Sequence, residues 1–298
     1  MSDCAAILLA AGRSRRLGYD KILTPIAGKP VVQYSLEVFK EMDAVGSIIL
    51  VTRPDLIESL NQMSERLEID KPIEIIEGGK ERQDSVWAGL RHLKGKTDYV
   101  AVHDAARPLL TEELMKLLLA KAKEVGGAIC GQSATDTMKL SSQESMILKT
   151  VDRANIWTVQ TPQIFRTELI LEAYECVHQE ATAITDDASA MEAIGKPVAL
   201  VDGGIINMKI THPRDWEVIE LLLNRSKGLK LRQIGHDLCN SLSPIMGYLP
   251  LVEKYGGDSE KFRNYVSKMQ KSSEQSQLLL NQFQELVRII FPKNEDKI

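Results

Sequence analysis

Cys4-Ala5-Ala6-Ile7-Leu8-Leu9-Ala10-Ala11-Gly12-Arg13-Ser14-Arg15-Arg16-Leu17-Gly18-Tyr19-Asp20-Lys21 decides how the rest of this chain is read. Its first six residues are apolar with no polar alternation, the mark of a strand covered on both faces. The run passes into Ala10, Ala11 and Gly12, small residues where backbone N–H groups can come close to a ligand. Arg13, Arg15, Arg16 and Lys21 follow within nine residues. A buried strand, a small-residue turn and a cation cluster describe a loop wrapped around a polyphosphate, with amides and charges facing its oxygens. Neither G-x-x-x-x-G-K-[ST] nor G-x-G-x-x-G is present, so the loop is not a P-loop or a dinucleotide fingerprint. Taken alone, it reads first as a solvated basic connection between a strand and a helix, because charge runs usually face water.

Outward from this segment, short apolar runs alternate with helical spacing through residue 225. Cys4–Leu9, Ser47–Thr52, Pro72–Ile76, Tyr99–His103, Ala128–Cys130 and Val198–Val201 are predicted strands. Pro30–Met42, Leu56–Leu67, Asp84–Leu93, Glu112–Val125, Thr167–Val177 and Pro213–Asn224 are predicted helices, with Pro30 and Pro213 suited to first turns. This alternation predicts an α/β fold, a mostly parallel sheet with helices on both faces. In such sheets the ligand crevice lies beyond the carboxyl ends of the strands. The polar stretch 139–158 lacks helical period and predicts an extended arm or hairpin leaving the body.

Bulk properties narrow the function classes. A net charge of −4 gives no global attraction to nucleic acid or an anionic membrane, so cations for an anionic substrate must be concentrated locally. No apolar run reaches the ~18 residues of a membrane span. Met1–Gly12 has no cationic segment before its apolar run, unlike a signal peptide. Cys4, Cys130, Cys176 and Cys239 are scattered without C-x-x-C spacing, which fits free thiols in a reducing cytoplasm rather than zinc or disulfides.

Further unusual segments fall just after predicted strands. Gly78-Gly79-Lys80-Glu81-Arg82-Gln83-Asp84-Ser85-Val86 puts a tight turn before a helix, with Asp84 or Ser85 near its N-terminus. Val102-His103-Asp104-Ala105-Ala106-Arg107-Pro108 ends a strand with an acid and a base three apart. Thr135-Asp136-Thr137-Met138-Lys139, Gln160-Thr161-Pro162-Gln163-Ile164-Phe165, Thr185-Asp186-Asp187-Ala188-Ser189 and Asn207-Met208-Lys209-Ile210-Thr211 complete the set. Capping alone would account for Ser85, Thr185 and Asp187, and turn chemistry for Gly78 and Gly79.

In this order and at this spacing, the segments resemble the 2-C-methyl-D-erythritol 4-phosphate cytidylyltransferase family over about residues 4–224. The resemblance implies a Rossmann-like nucleotidyltransferase core and a homodimer interlocked through the protruding arm. It also implies transfer of CMP from CTP to the polyol phosphate, with Mg²⁺ and release of pyrophosphate. Carried over, Arg16 and Lys21 match cations that stabilise the transition state, and Arg153 and Lys209 match residues that position the acceptor phosphate. The arginine at the Arg153 position comes from the partner's arm in that family. Ala10, Ala11, Gly12, Gly79 and Ser85 match positions holding cytosine and ribose; Asp104, Arg107, Thr161 and Thr185 match positions around the polyol. Two departures stand out. Asp20-Lys21 replaces the usual Pro-Lys pair after a loop a couple of residues short, and Lys80 stands where an acid is common.

Beyond Ser226-Lys227-Gly228-Leu229-Lys230, where the sequence predicts a boundary, no strand pattern appears. Leu238, Leu242, Ile245, Leu249 and Val252, then Phe262, Val266, Met269, Ser273, Ser276, Leu280, Phe283, Val287 and Ile290, follow 4-3-4-3 spacing. They predict an all-α helical hairpin over 226–298 whose narrow stripe needs a partner. Ile234 to Tyr248 resembles the phosphoacceptor helix of sensor histidine kinases, and that resemblance makes His236 the phosphoacceptor and a signalling protein a partner. Pro244 and Pro250 fall inside this helix, where each costs about 3 kcal/mol or forces a kink. The chain stops at Ile298 with no kinase domain following, so a simple dimerisation hairpin is the other reading. For the whole chain, the alternatives are a ribitol-5-phosphate cytidylyltransferase and a nucleotide-sensing regulatory protein.

Overall fold

A computed structural model describes residues 3–12, 20–93, 95–203, 207–254 and 259–290. Its elements are β1 (Cys4–Leu9), β2 (Pro25–Ile26), β3 (Lys29–Pro30), α1 (Val31–Glu41), β4 (Val45–Thr52), α2 (Ile57–Arg66), β5 (Ile73–Glu77) and α3 (Arg82–Leu93). There follow β6 (Tyr99–Asp104), α4 (Glu112–Val125), β7 (Gly127–Ser133), β8 (Met138–Ser141), β9 (Ile147–Val151) and β10 (Trp157–Arg166). The chain ends with α5 (Thr167–Gln179), α6 (Asp187–Ala193), β11 (Ala199–Asp202), α7 (Pro213–Lys254) and α8 (Ser259–Ile290). It divides into two compact units, Met1–Pro25 with Lys29–Trp216, and Ile26–Gly28 with Glu217–Ile298. Among the described residues no helix is long and apolar enough to cross a membrane.

In the first unit a seven-stranded sheet runs β11-β7-β10-β6-β1-β4-β5. All neighbours are parallel except those of β10, which is antiparallel to both β6 and β7. Alternate residues of β1 serve two cores, as a strand covered on both faces requires. Ala6 and Leu8 pack with Leu36 of α1, Leu60 of α2 and Leu118 of α4. Ala5 and Ile7 pack with Val86 of α3, Tyr174 of α5 and Met191 of α6. Helix α3 lies close on β1 because residue 89 is glycine: a Cβ there would stand 3.0 Å from two Ile7 carbons. Helix α4 is capped at both ends, by the Thr111 side chain accepting from Leu114 N–H and by Gly126 at φ 104°.

The chain lays down β1, β4 and β5 outward in one direction and then crosses back to place β6 on the other side of β1. That reversal is a topological switch point, and sheets of this kind take their ligands beyond the carboxyl ends of the strands that flank it, here β1 and β6.

Three expectations need correction. The predicted arm, 139–158, is a hairpin of β8 and β9 closed at its base by Ala134 N–H on the Ile156 carbonyl, and residues 157 and 158 already belong to β10. The helix predicted to end at Asn224 does not end there; α7 continues to Lys254 through Gly228, Pro244 and Pro250. One glycine costs a helix only about 1 kcal/mol, less than losing the turns on either side. In α8, Ser272 rather than Ser273 joins the hairpin contact. Ser272 Oγ donates to the Ser241 carbonyl at 2.5 Å, and the Ser241 and Ser276 hydroxyls meet at 2.8 Å. Ser273 is exposed, as are Leu242 and Leu278.

Candidate active site

Four strand ends meet at the switch point. Leu9 at the end of β1 is in register with Val51 of β4 and Asp104 of β6. Ala10 N–H donates to the Val51 carbonyl (2.7 Å), Ala105 N–H to the Leu9 carbonyl (3.0 Å) and Gly78 N–H to the Thr52 carbonyl (2.8 Å). The segments after β1, β4, β5 and β6 therefore lie side by side along the carboxyl edge.

Asp104, the last residue of β6, is buried among cations. Lys209 Nζ donates to its Oδ2 at 2.6 Å, Arg82 Nε reaches Oδ1 at 3.5 Å, and Arg107 Nε is 4.0 Å from Oδ2. Burial alone would raise the carboxyl's pKa, but the charges of Lys209, Arg82 and Arg107 and the Lys209 hydrogen bond hold it well below the usual carboxylate range. Lys21 Nζ donates to the carbonyl of Ile210, the residue after Lys209, at 2.8 Å. Arg107 Nη1 donates to the Asn207 carbonyl at 2.7 Å. Arg107 Nε and Asn207 Oδ1 are buried without a hydrogen-bond partner among the described residues. Such atoms are ordinarily satisfied by water or a ligand.

Arg82 is anchored from behind. Its two terminal nitrogens make a bidentate pair with Asp187 at 2.9 and 2.8 Å, and Tyr174 Oη donates to the same carboxylate at 2.6 Å. Burial opposes the charge on Arg82, yet Asp187, Asp104 and Tyr174 outweigh it and raise its pKa. Gln163 of β10 accepts from the N–H groups of Asp187 and Ala188, both at 3.1 Å, tying α6 to the sheet.

Beneath Asp104 lies a fully buried imidazole. His103 Nε2–H donates to the Arg107 carbonyl (3.2 Å), which leaves Nδ1 to accept from the Thr161 hydroxyl (3.2 Å). The same hydroxyl accepts from Asp104 N–H (3.0 Å), and Asn207 Nδ2 donates to the Thr161 carbonyl (2.6 Å). Burial lowers the His103 pKa to about 4, so the ring is neutral. This chain of bonds joins β6, β10 and the segment that carries Lys209.

A second group gathers at the small residues. Gly79 N–H donates to Ser85 Oγ (3.1 Å), whose hydroxyl donates to the Glu81 carbonyl (3.2 Å). A Cβ on Gly78 would stand 2.8 Å from both Ala11 Cβ and Ser85 Oγ, so the turn after β5 packs directly on the turn after β1. Gly12 is held by Arg53, whose Nη1 donates to its carbonyl at 3.0 Å.

The structure thus brings together Lys21, Asp104, Arg107, Thr161 and Lys209 in one group, and Ala10, Ala11, Gly12, Gly79 and Ser85 in the neighbouring one. Within the same unit, Arg153 and Thr185 stand apart from both groups. Arg153 is exposed at the base of the β8–β9 arm, where its guanidinium donates to the Thr135 carbonyl. Thr185 is exposed and meets the Ser189 hydroxyl at 3.3 Å. His236 belongs to the helical hairpin and is exposed, with Nδ1 3.1 Å from Asn240 Nδ2. Arg16 lies outside the described residues. The sequence reading passed over Arg82, Asp187 and His103 as site residues, although each stood inside a quoted segment. A charged residue at the start of an otherwise apolar helical pattern was the available signal for Arg82 and Asp187.

The donor set does not form a resident metal site. Among the described residues no three His, Cys, Asp or Glu side chains gather, and Asp104 is already engaged by three cations.

The 2-C-methyl-D-erythritol 4-phosphate cytidylyltransferase family model matches residues 4–225. The chain belongs to that family. The family enzyme of Caldanaerobacter subterraneus subsp. tengcongensis is 39% identical over 226 residues, covering 75% of this chain and 100% of the relative. That of Alkaliphilus oremlandii is 38% identical over 226 residues, 75% of this chain and 96% of its own. The crystal structure of 4-diphosphocytidyl-2C-methyl-D-erythritol synthase from Anaerococcus prevotii superposes with a TM-score of 0.67 at 27% identity, over 74% of this chain and 95% of that one. The sheet and helices described above fit an α/β nucleotidyltransferase fold. The helical hairpin lies outside the matched family region, which ends at residue 225.

Proposed function

We infer that this chain is a cytidylyltransferase that transfers CMP from CTP to 2-C-methyl-D-erythritol 4-phosphate, in the non-mevalonate synthesis of isoprenoid precursors. The observation that carries the reading, given the family, is the convergence of Lys209, Arg82 and Arg107 on Asp104 at the switch-point edge, with the Lys21 ammonium on the Ile210 carbonyl beside Lys209. An oxygen of the acceptor phosphate attacks the α-phosphorus of CTP, the bond to the bridging β-phosphate oxygen breaks, and pyrophosphate leaves. The obstacle is repulsion between two anions, and fixed cations remove it. The attacking oxygen is already ionised near neutrality, so no protein nucleophile or strong base is needed. This fits a site built from Arg and Lys, with His103 neutral and buried beneath it.

Arg16 and Lys21 stabilise the charge that grows at the α-phosphate, and Lys209 positions the acceptor phosphate. Asp104, Arg107 and Thr161 face the polyol; the unpaired Arg107 Nε and Asn207 Oδ1, the latter on the residue bonded to the Thr161 carbonyl, support this for Arg107 and Thr161, and the resemblance alone adds Thr185. Ala10, Ala11, Gly12, Gly79 and Ser85 hold cytosine and ribose. Mg²⁺ comes as part of the substrate, on the triphosphate of CTP, as suits an ion that keeps phosphate ligands.

The working unit is a homodimer in which Arg153 from the arm of one copy serves the other. Leu140, Met146, Ile147 and Leu148, all exposed on that arm, support an interlocked pair. Residues 1–225 form the cytidylyltransferase domain and 226–298 an accessory hairpin, which agrees with the full-length coverage of relatives that match only the first three quarters. The cysteines are free, in keeping with a cytoplasmic location. His236, 70% exposed, is accessible to a phosphoryl donor supplied by a signalling partner. Acid-labile phosphate on the wild type but not on His236→Ala tests that role.

Pyrophosphate release with CTP and each polyol phosphate tests the main reading. Turnover with methylerythritol phosphate is expected. Preference for ribitol 5-phosphate, or CTP binding without turnover, would overturn it in favour of the other acceptor or of a regulatory protein.

A further inference from the structure

Arg53, the first residue after β4, occupies a place the mechanism above does not use. Its side chain is 17% exposed, although it follows the strand at the surface edge. Nη1 donates to the Gly12 carbonyl at 3.0 Å, Nη2 pairs with Asp20 Oδ2, and Nε and Nη2 hold Asp55 at 3.1 Å each. Gly12 and Asp20 are the described residues on either side of the cationic segment 13–19. Asp20 is engaged on both oxygens, because its Oδ1 accepts from Ile22 N–H at 2.7 Å. That bond spans Lys21, whose ammonium reaches the Ile210 carbonyl beside Lys209.

We propose that Arg53 is a positioning residue for this transfer: it clasps Gly12 and Asp20 and, through Asp20, fixes Lys21. The proposal rests on the reading of Lys21 as a transition-state cation. A guanidinium suits the task because its rigid planar fork serves a carbonyl on one side and carboxylates on the others, which a lysine's single ammonium does not.

Steady-state pyrophosphate release and thermal unfolding of wild type, Arg53→Gln, Arg53→Lys, Asp20→Asn, Lys21→Ala and Arg53→Gln/Lys21→Ala test this. Arg53→Gln should lower kcat roughly 10- to 100-fold, the scale of a misplaced catalytic group, with Arg53→Lys recovering little of it. In the Lys21→Ala background the same change should cost nothing further, since both act through one cation. An equal loss in both backgrounds would overturn the proposal and make Arg53 a direct contact to CTP; so would full kcat in Arg53→Gln. Should Arg53→Gln fail to fold, Asp20→Asn carries the test: it keeps an acceptor for Ile22 but loses the charge, and wild-type kcat in it refutes the clasp. An inactive wild type overturns the activity reading and the clasp with it. An active wild type indifferent to these changes overturns the clasp alone.

Discussion

Lowering the pH from 7.5 to 4.5 should weaken the fold through His103, and the amount follows from its surroundings. The folded ring has a pKa of about 4, depressed by burial from 6.5. Protonating it would put a charge in a fully buried site and remove the acceptor that the Thr161 hydroxyl uses. Between these two pKa values the unfolded chain binds the proton and the folded chain does not, so stability falls as pH falls through the window. The contribution is fully present above about 6.5 and is lost by about 4; at ~1.4 kcal/mol for each unit it amounts to about 3 kcal/mol. Asp104 has the opposite charge type but a depressed pKa, so its contribution is lost only on acidification below the usual carboxylate pKa of 3.8, outside this window. Urea unfolding of wild type and His103→Gln, followed by tryptophan fluorescence across pH 4.5–7.5, isolates the ring from the remaining carboxylates. Gln retains an N–H for the Arg107 carbonyl and does not titrate. The wild type should lose about 2–3 kcal/mol more than the variant over that range. Parallel curves would refute a neutral, unprotonated His103 as the pin between β6 and β10.

Three further outcomes follow from the site. Arg16→Ala, Lys21→Ala and Lys209→Ala should each lower kcat for pyrophosphate release by roughly 10²-fold or more, as for other electrostatic stabilisers, and normal turnover in all three would remove them from the mechanism. Asp187→Ala leaves Arg82 without its bidentate partner, so thermal unfolding should report a loss of about 3–5 kcal/mol, with kcat falling because Arg82 no longer braces Asp104. Deleting residues 226–298 should leave kcat within about twofold of wild type if the hairpin is accessory, and a folded but inactive truncation would contradict the domain assignment.

Much of the fold was legible because parallel strands buried on both faces are written as continuous apolar runs. Cys4–Leu9 and Glu112–Val125 stand where the sequence put them. Strand β10 was not found for the converse reason. It is antiparallel, its first four residues are not buried, and Thr161, Pro162 and Gln163 interrupt its apolar content. Its polar residues are the ones that serve the site: Thr161 joins His103 to Asp104, and Gln163 ties α6 to the sheet. Helix α6 was missed likewise, since seven residues opening on Asp186 and Asp187 read as a cap and little else. Local patterns fail where a residue is chosen for a distant partner.

The same logic explains why the cations were visible and their arrangement was not. Arg and Lys clustered after a strand announce an anion site, but without the anion such a cluster repels itself. The protein therefore supplies anions of its own. Asp104 stands among Lys209, Arg82 and Arg107, Asp187 holds Arg82, and Asp20 holds Arg53. Two of these pairs span 105 positions in the chain, so no spacing rule could reveal them. They also set what binding must do. A phosphate that approaches Lys209 competes with Asp104 for one ammonium, and Asp104 can yield it because Arg82 and Arg107 remain to balance its charge. On the proposed reading, the internal carboxylate keeps the cations at the switch-point edge before substrate arrives and would let one of them turn to the acceptor when it does.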